Sequence, residues 1–175
     1  LMICDEVQCG MGRTGKMFAF QNYDVIPDII ATAKALGGGV PVGAFVAGEK
    51  CCNSLVPGDH GTTYGGNPLV TAAVNAVFDI YEKENILDNV NRVGTYLETK
   101  LDELVKESDN VVLRRGKGLM QGLVLKNPVG ETINKAIEKG LLVISAGGNV
   151  LRMLPPLVIT KENVDEMIQI LKECV

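Results

Sequence analysis

The sequence predicts an α/β fold over residues 1–84 and an α+β unit over residues 85–175, on three observations. Short apolar runs at 1–7, 29–33 and 42–47 alternate with glycine-rich loops, the pattern of buried strands in an α/β sheet. Two long stretches, 68–83 and 86–107, carry apolar residues at the 3.6-residue helical period. From residue 111 onward, short strand-like runs are interleaved with two more amphipathic helices, which calls for a second core.

The first run, 1–7, reads as a core strand that ends in Asp5-Glu6-Val7-Gln8. A carboxylate at the carboxyl end of an α/β strand is a common place for ligand chemistry. The same acids equally suit solvent or the capping of the next element. The chain opens inside this apolar run, so it is expected to be a piece of a longer protein. The next stretch, Gly10-Met11-Gly12-Arg13-Thr14-Gly15-Lys16, matches GxGxxG and nearly matches a P-loop. Met17 stands where a P-loop needs Ser or Thr, and only one or two helical turns can follow, so both nucleotide readings fail. A flexible loop close to a ligand is expected instead.

Residues 28–39, Asp-Ile-Ile-Ala-Thr-Ala-Lys-Ala-Leu-Gly-Gly-Gly, set the expected chemistry. Lys34 follows a buried strand and precedes three glycines. Buried or half-buried there, its amine would lose hydration and its pKa would fall toward that of a usable nucleophile. Such lysines form Schiff bases with carbonyl compounds. The plainer alternative is a strand-end lysine reaching to solvent. A second buried strand is expected at 42–47 and a helical turn at 49–55. The polar, glycine-rich loop 57–68 precedes a helix, and its hydroxyls and amides suit an anion as well as a simple connection.

In the helix 68–83, Pro68 suits the first position, and Leu69, Ala72, Ala73, Ala76, Val77 and Ile80 form the apolar stripe. The helix 86–107 turns Val90, Val93, Leu97, Leu101, Leu104 and Val105 inward. Strands are predicted at 111–115, 119–125, 141–145 and 150–153. A helix over 131–139 stops at Gly140. Thr160 caps a final helix that buries Val164, Met167, Ile168 and Leu171.

Composition excludes several classes. With 17 basic and 21 acidic residues there is no basic patch for nucleic acid. No apolar run reaches the length of a membrane span. Five cysteines fit no zinc spacing and there is one histidine, so no metal site is expected and the thiols read as reduced and cytosolic.

Four motifs in order, Asp5-Glu6-Val7-Gln8, Gly12-Arg13-Thr14-Gly15, Ala33-Lys34-Ala35-Leu36-Gly37-Gly38-Gly39 and His60-Gly61-Thr62-Thr63-Tyr64-Gly65-Gly66-Asn67-Pro68, resemble the class III pyridoxal-phosphate aminotransferases, the ornithine and acetylornithine group. Asn149-Val150-Leu151-Arg152-Met153-Leu154-Pro155-Pro156-Leu157, following Ser145-Ala146-Gly147, adds a fifth and is nearest to the acetylornithine branch. The resemblance runs along the whole chain. It implies a fold-type-I architecture in which residues 1–84 end the large cofactor domain and 85–175 form the small one. It implies pyridoxal 5'-phosphate as cofactor, an amino acid and a 2-oxo acid as substrates, and a cytoplasmic homodimer with shared active sites.

The resemblance also assigns roles. Lys34 becomes the Schiff-base and proton-moving lysine. Asp5 pairs with the pyridine nitrogen and keeps it protonated. Glu6 belongs to the same cofactor-binding run, Val7 packs on the ring and Gln8 reaches its phenolic oxygen. Thr63 binds the cofactor phosphate of the neighbouring subunit, with Thr62 close to that subunit's substrate. Arg152 holds the substrate α-carboxylate with paired donors. The implied reaction carries an amino group from N-acetylornithine to 2-oxoglutarate, with ornithine, 4-aminobutyrate and glutamate-semialdehyde enzymes as near alternatives. The family's main phosphate loop, stacking aromatic residue and second substrate arginine have no counterpart in the 175 residues. A non-catalytic folding or dimerisation unit is therefore the rival of a different class.

Overall fold

The computed structural model describes residues 1–175, which form two compact units, Leu1–Leu87 and Asp88–Val175. In the first unit a three-stranded sheet has the order β1 (Ile3–Asp5), β2 (Ile29–Thr32), β3 (Ala44–Ala47). β1 and β2 are parallel, with Ile3 opposite Ile29 and Asp5 opposite Ala31. β3 returns antiparallel to β2, with Thr32 opposite Ala44. One residue fastens the other end of this sheet. The Asp28 carboxylate accepts from the Met2 amide at 2.7 Å and pairs with Lys50 at 2.9 Å, and its carbonyl accepts from Gly48 at 2.8 Å.

The strands are shorter and more open than their apolar runs predict. Leu1 and Ile3 are 85% and 64% exposed, and Phe45 and Val46 of β3 are also exposed. Neither 1–7 nor 42–47 is a buried core strand, because these residues supply no second layer over those side chains. Residues 49–55 form consecutive turns, with the Cys51 and Cys52 amides both on the Gly48 carbonyl at 2.9 Å, one turn of helical spacing that does not continue. The loop 10–16, expected to be flexible, is packed over most of its length: Met11 is 1% exposed, and Gly10, Gly12, Thr14 and Gly15 are buried. A 3-10 turn of four residues, Ala19–Asn22, follows it, far too short for a dinucleotide fingerprint.

α1 (Pro68–Lys83) begins where predicted. Asn67 caps it, its side-chain oxygen accepting from Leu69 and Val70, with Pro68 at the first position. Its inward face is rotated from the one expected. Val70 is buried, with Ala73, Val74, Val77 and Tyr81 half-buried along the same stripe, while Leu69, Ala72, Ala76 and Ile80 are exposed. Both stripes satisfy the helical period, so periodicity alone could not choose between them.

The second unit holds α2 (Ile86–Glu107), α3 (Gly130–Glu138), α4 (Lys161–Cys174) and an antiparallel sheet of β4 (Val111–Lys117), β5 (Met120–Leu125), β6 (Ile144–Ser145) and β7 (Val150–Met153). The strand order is β4-β5-β7-β6. Val90, Val93, Leu97 and Leu101 of α2 are fully buried, as are Leu123 of β5, Leu151 of β7 and Val164 and Leu171 of α4. Each such side chain contributes about 1.5–3 kcal/mol. Here the predicted stripes of α2 and α4 and the Thr160 cap are all observed.

One glycine sets how closely α2 lies on the β4–β5 hairpin. A Cβ on Gly94 would stand 2.9 Å from the Gly118 Cα. One turn on, Glu98 accepts from the Gly118 amide and the Gln121 side chain, both at 3.1 Å. Gly94→Ala is therefore expected to destabilise the chain by about 1–3 kcal/mol through overpacking, despite the roughly 1 kcal/mol that alanine gains in helix propensity. Urea unfolding of the variant against the parent chain measures the sign, and a more stable variant would contradict this close approach.

Candidate functional site

Parallel pairing delivers the carboxyl ends of β1 and β2 to one edge of the first unit's sheet. Asp5 is the last residue of β1, and Lys34 comes two residues after β2 ends. The Glu6 amide still donates to the Ala31 carbonyl at 2.8 Å, so both chains leave the sheet side by side. This is the edge at which open α/β sheets place ligand chemistry.

Lys34 is exposed, which is the plainer of the two alternatives left open by the sequence, a strand-end lysine reaching to solvent. The backbone is what is unusual. Lys34 has φ +47, in the left-handed region that a long side chain rarely occupies. It opens a 3-10 turn, Lys34–Gly37, capped by Gly38 at φ +59. The glycines permit that turn to sit closely: a Cβ on Gly37 would meet a Val42 methyl at 2.6 Å, and one on Gly38 a Val77 methyl of α1 at 2.8 Å. A non-glycine residue held in such a conformation costs on the order of 1–3 kcal/mol, and such strain clusters at functional sites.

Asp5 is exposed, and one of its oxygens accepts from the Val7 amide at 3.0 Å. Val7 and Gln8 are half-buried beside it. Glu6 behaves differently from its neighbours. It is 2% exposed, and its carboxylate accepts from the amides of Ala19 at 2.9 Å and Phe20 at 2.8 Å and from the Cys9 thiol at 3.1 Å. Successive residues turn to opposite sides, so Asp5 faces outward while Glu6 is held within the chain.

Thr62 and Thr63 lie in an exposed loop of the same unit. The Thr62 hydroxyl accepts from the Gly65 amide at 3.3 Å. The first-turn amides of α1, expected to serve an anion, are already engaged: Leu69 and Val70 donate to the Asn67 side chain and Thr71 to the Asn67 carbonyl. An anion at this loop would therefore depend on the hydroxyls and loop amides before Asn67. Arg152 belongs to the second unit, on β7 between Gly122 of β5 and Ile144 of β6, and is half-exposed. The structure thus gathers Asp5, Glu6, Val7, Gln8 and Lys34 along one edge and puts Thr62, Thr63 and Arg152 on other elements.

Sequence reasoning missed Tyr81, whose hydroxyl donates to the Met11 carbonyl at 2.6 Å and pins the packed loop to α1. No spacing marks it, because the partner is a main-chain atom 70 residues away. It also missed a groove of about 340 Å³ in the second unit, lined by Leu141, Val143, Met153, Pro156, Ile159 and Asn163 among others. That groove offers apolar contact and one amide, not acid–base chemistry. No cluster of three His, Cys, Asp or Glu side chains is placed to hold a metal, and no helix is long and apolar enough to cross a membrane.

Residues 1–175 match the model of the family described as aminotransferase class-III. Over 173 residues the chain is 49% identical to acetylornithine aminotransferase of Aquifex aeolicus, covering 99% of this chain and 44% of that protein. Among solved structures it is similar to the ornithine delta-aminotransferase of Plasmodium falciparum, with 38% identity and a TM-score of 0.92 over 98% of this chain and 45% of that one. It is likewise similar to the acetylornithine aminotransferase of Elizabethkingia anophelis, with 35% identity and a TM-score of 0.90 over 98% of this chain and 44% of that one. The chain spans less than half the length of the curated relatives it matches.

The thiol at this edge gives a direct test of the geometry. Burial, and next the Glu6 carboxylate that accepts its proton, push the Cys9 thiol up from 9.0 to about 12. The thiolate is the reactive form, so Cys9 should resist iodoacetamide at pH 8 in the folded chain and react in urea. The raised value leaves stability intact below the ordinary thiol range and removes it as pH climbs from 9 toward 12. Rapid labelling of Cys9 in the folded chain, by peptide mass mapping, would contradict the Glu6 contact.

Proposed function

The chain belongs to the class-III aminotransferases, and on that premise we propose that it is part of a pyridoxal-phosphate enzyme that carries the amino group of N-acetylornithine to 2-oxoglutarate. The products are N-acetylglutamate semialdehyde and glutamate, a step of arginine biosynthesis that this reading places in the cytoplasm. The observation that carries the reading is Lys34: a lysine held at φ +47, between the end of β2 and three glycines, on the sheet edge that also presents Asp5.

The residues present fit pyridoxal phosphate. An exposed amine and an exposed carboxylate stand at the ends of adjacent parallel strands, which suits a ring with an aldehyde on one side and a basic nitrogen on another. The chemistry supplied by the group when bound is an electron sink that eases proton loss from the substrate α-carbon. Lys34 would tether the group through Nζ and shuttle a proton at that carbon. Asp5 would hold a proton on the ring nitrogen with its free oxygen, its other oxygen being steadied by the Val7 amide. Val7 offers an apolar contact for the ring and Gln8 an amide for its phenolic oxygen. Arg152, half-exposed on β7, would orient a substrate α-carboxylate with two parallel donors.

Thr63 would bind the phosphate of a second copy, making the enzyme a homodimer with shared sites, and Thr62 would lie near that copy's substrate. The identity to acetylornithine aminotransferases supports N-acetylornithine as amino donor. The likeness to an ornithine delta-aminotransferase supports ornithine as the alternative.

The full-length enzyme with pyridoxal phosphate, assayed with 2-oxoglutarate and each donor in turn, should show its highest kcat/KM with N-acetylornithine. A preference for free ornithine would select the alternative. Lys34→Ala should cut turnover by roughly a thousandfold or more and abolish the visible band of tethered cofactor. Co-expression of Lys34→Ala with Thr63→Ala should restore roughly a quarter of parental activity, since about half of randomly paired dimers carry one intact site. No recovery in demonstrated mixed dimers would place Thr63 in its own subunit's site.

A further inference from the structure

Glu6 is the buried residue at this edge that the proposed reaction does not use. Its buried carboxylate ties two segments together: the 5–10 turn, through its own backbone, and the 3-10 turn Ala19–Asn22, through the amides of Ala19 and Phe20. The tie is closed by the Cys9 thiol and by the Gly10 amide, which donates to the Glu6 carbonyl at 3.0 Å. The turn has no slack, since a Cβ on Gly10 would stand 2.5 Å from that carbonyl. β1 contributes only three residues to the sheet, and its pairing ends at Asp5. Beyond the Glu6 amide's bond to Ala31, the orientation of Asp5, Val7 and Gln8 therefore depends on what holds the turn that follows.

We propose that Glu6 is a positioning residue that does not touch cofactor: by clamping the 5–10 turn to the amides of Ala19 and Phe20, it sets the direction in which Asp5 presents its carboxylate. The physical reason is the charge-assisted pairing of one acid with two adjacent main-chain donors, which fixes a plane and not merely a distance. Glutamine cannot reproduce it. Its single oxygen can meet one amide, and its NH2 then faces the other donor to donor. Aspartate is one methylene too short to reach both.

This inference rests on pyridoxal phosphate as the group that Asp5 serves, and the experiment separates the two. In the full-length protein, Glu6→Gln should retain its fold by circular dichroism. Amide exchange at Ala19 and Phe20 should rise roughly tenfold or more. Pyridoxal phosphate should bind about tenfold more weakly, and the pH at which its bound absorbance changes should shift by about half a unit or more, since the ring nitrogen's partner has turned. Ala19→Pro tests the clamp from its other end and covers the case in which Glu6→Gln fails to fold. It removes one of the two donors with Glu6 intact. It also suits the backbone, because Phe18 before it is extended (φ −126, ψ 145) and Ala19 is the first residue of its turn.

Ala19→Pro should move cofactor affinity and the pH midpoint in the same direction as Glu6→Gln, by less. Unchanged exchange at Phe20 in the glutamine variant, or parental affinity and pH midpoint in a folded variant of either kind, overturns the proposal. If the parent protein itself fails to bind pyridoxal phosphate, the functional reading falls, while the exchange data still decide whether Glu6 holds the two segments.

Discussion

Parallel pairing of β1 with β2 is the constraint on which the first unit's chemistry depends. Only a parallel neighbour brings two carboxyl ends to one edge, and only the observed register puts Asp5 level with Ala31, three residues before Lys34. A shift of one residue would turn Asp5 inward and Glu6 outward, exchanging the roles of the two acids. Two features secure the register from opposite ends. Asp28 binds the Met2 amide at the near end, and the Glu6 amide binds the Ala31 carbonyl at the far end.

The second unit shows what a sequence discloses well. α2 and α4 have their apolar residues on one side and their charges on the other, and all the buried positions needed to make a core lie within the unit. Period and burial then coincide, and a cap such as Thr160 marks the boundary directly. In the first unit they do not coincide. An apolar run shows that a strand can be buried, not that a layer is present to bury it, and β1 and β3 are exposed for want of one. α1 offers two stripes of similar quality that share Ala73 and Val77, one adding Leu69, Ala72, Ala76 and Ile80 and the other Val70, Val74 and Tyr81. Val77, common to both, lies against Gly38, and the burial of Val70 shows which side of it faces inward.

The candidate site was legible for the same reason that its fine structure was not. Asp5, Lys34, Thr63 and Arg152 stand out because they lie in motifs that resemble a known family's, and the order of such motifs is readable along a chain. What each side chain does locally is decided by main-chain partners that no motif encodes. Glu6 reads as one of a run of ligand-facing residues until its two oxygens are found on Ala19 and Phe20. Lys34 reads equally as a desolvated amine or a lysine reaching to solvent until it is found exposed, with its peculiarity in φ. Tyr81 carries no pattern, yet it holds the carbonyl of Met11, itself a left-handed residue, at 2.6 Å.

Strain and tethering explain each other in this unit. The chain adopts the left-handed region at Met11 and Lys34, neither of them glycine, on the two loops that leave the sheet beside the candidate site. Each costs on the order of 1–3 kcal/mol and persists only because its neighbourhood compels it. Around Met11 the compulsion is visible: burial of its side chain, the Tyr81 bond, and the Gly12 amide on the Met17 carbonyl at 3.0 Å. Around Lys34 it comes from behind, through Leu36 and Gly37 buried in the turn and Gly38 against α1. Buried neighbours thus hold the backbone at Lys34 while its side chain stays exposed. An exposed amine on a backbone held by buried neighbours is the combination that the proposed tethering role would need.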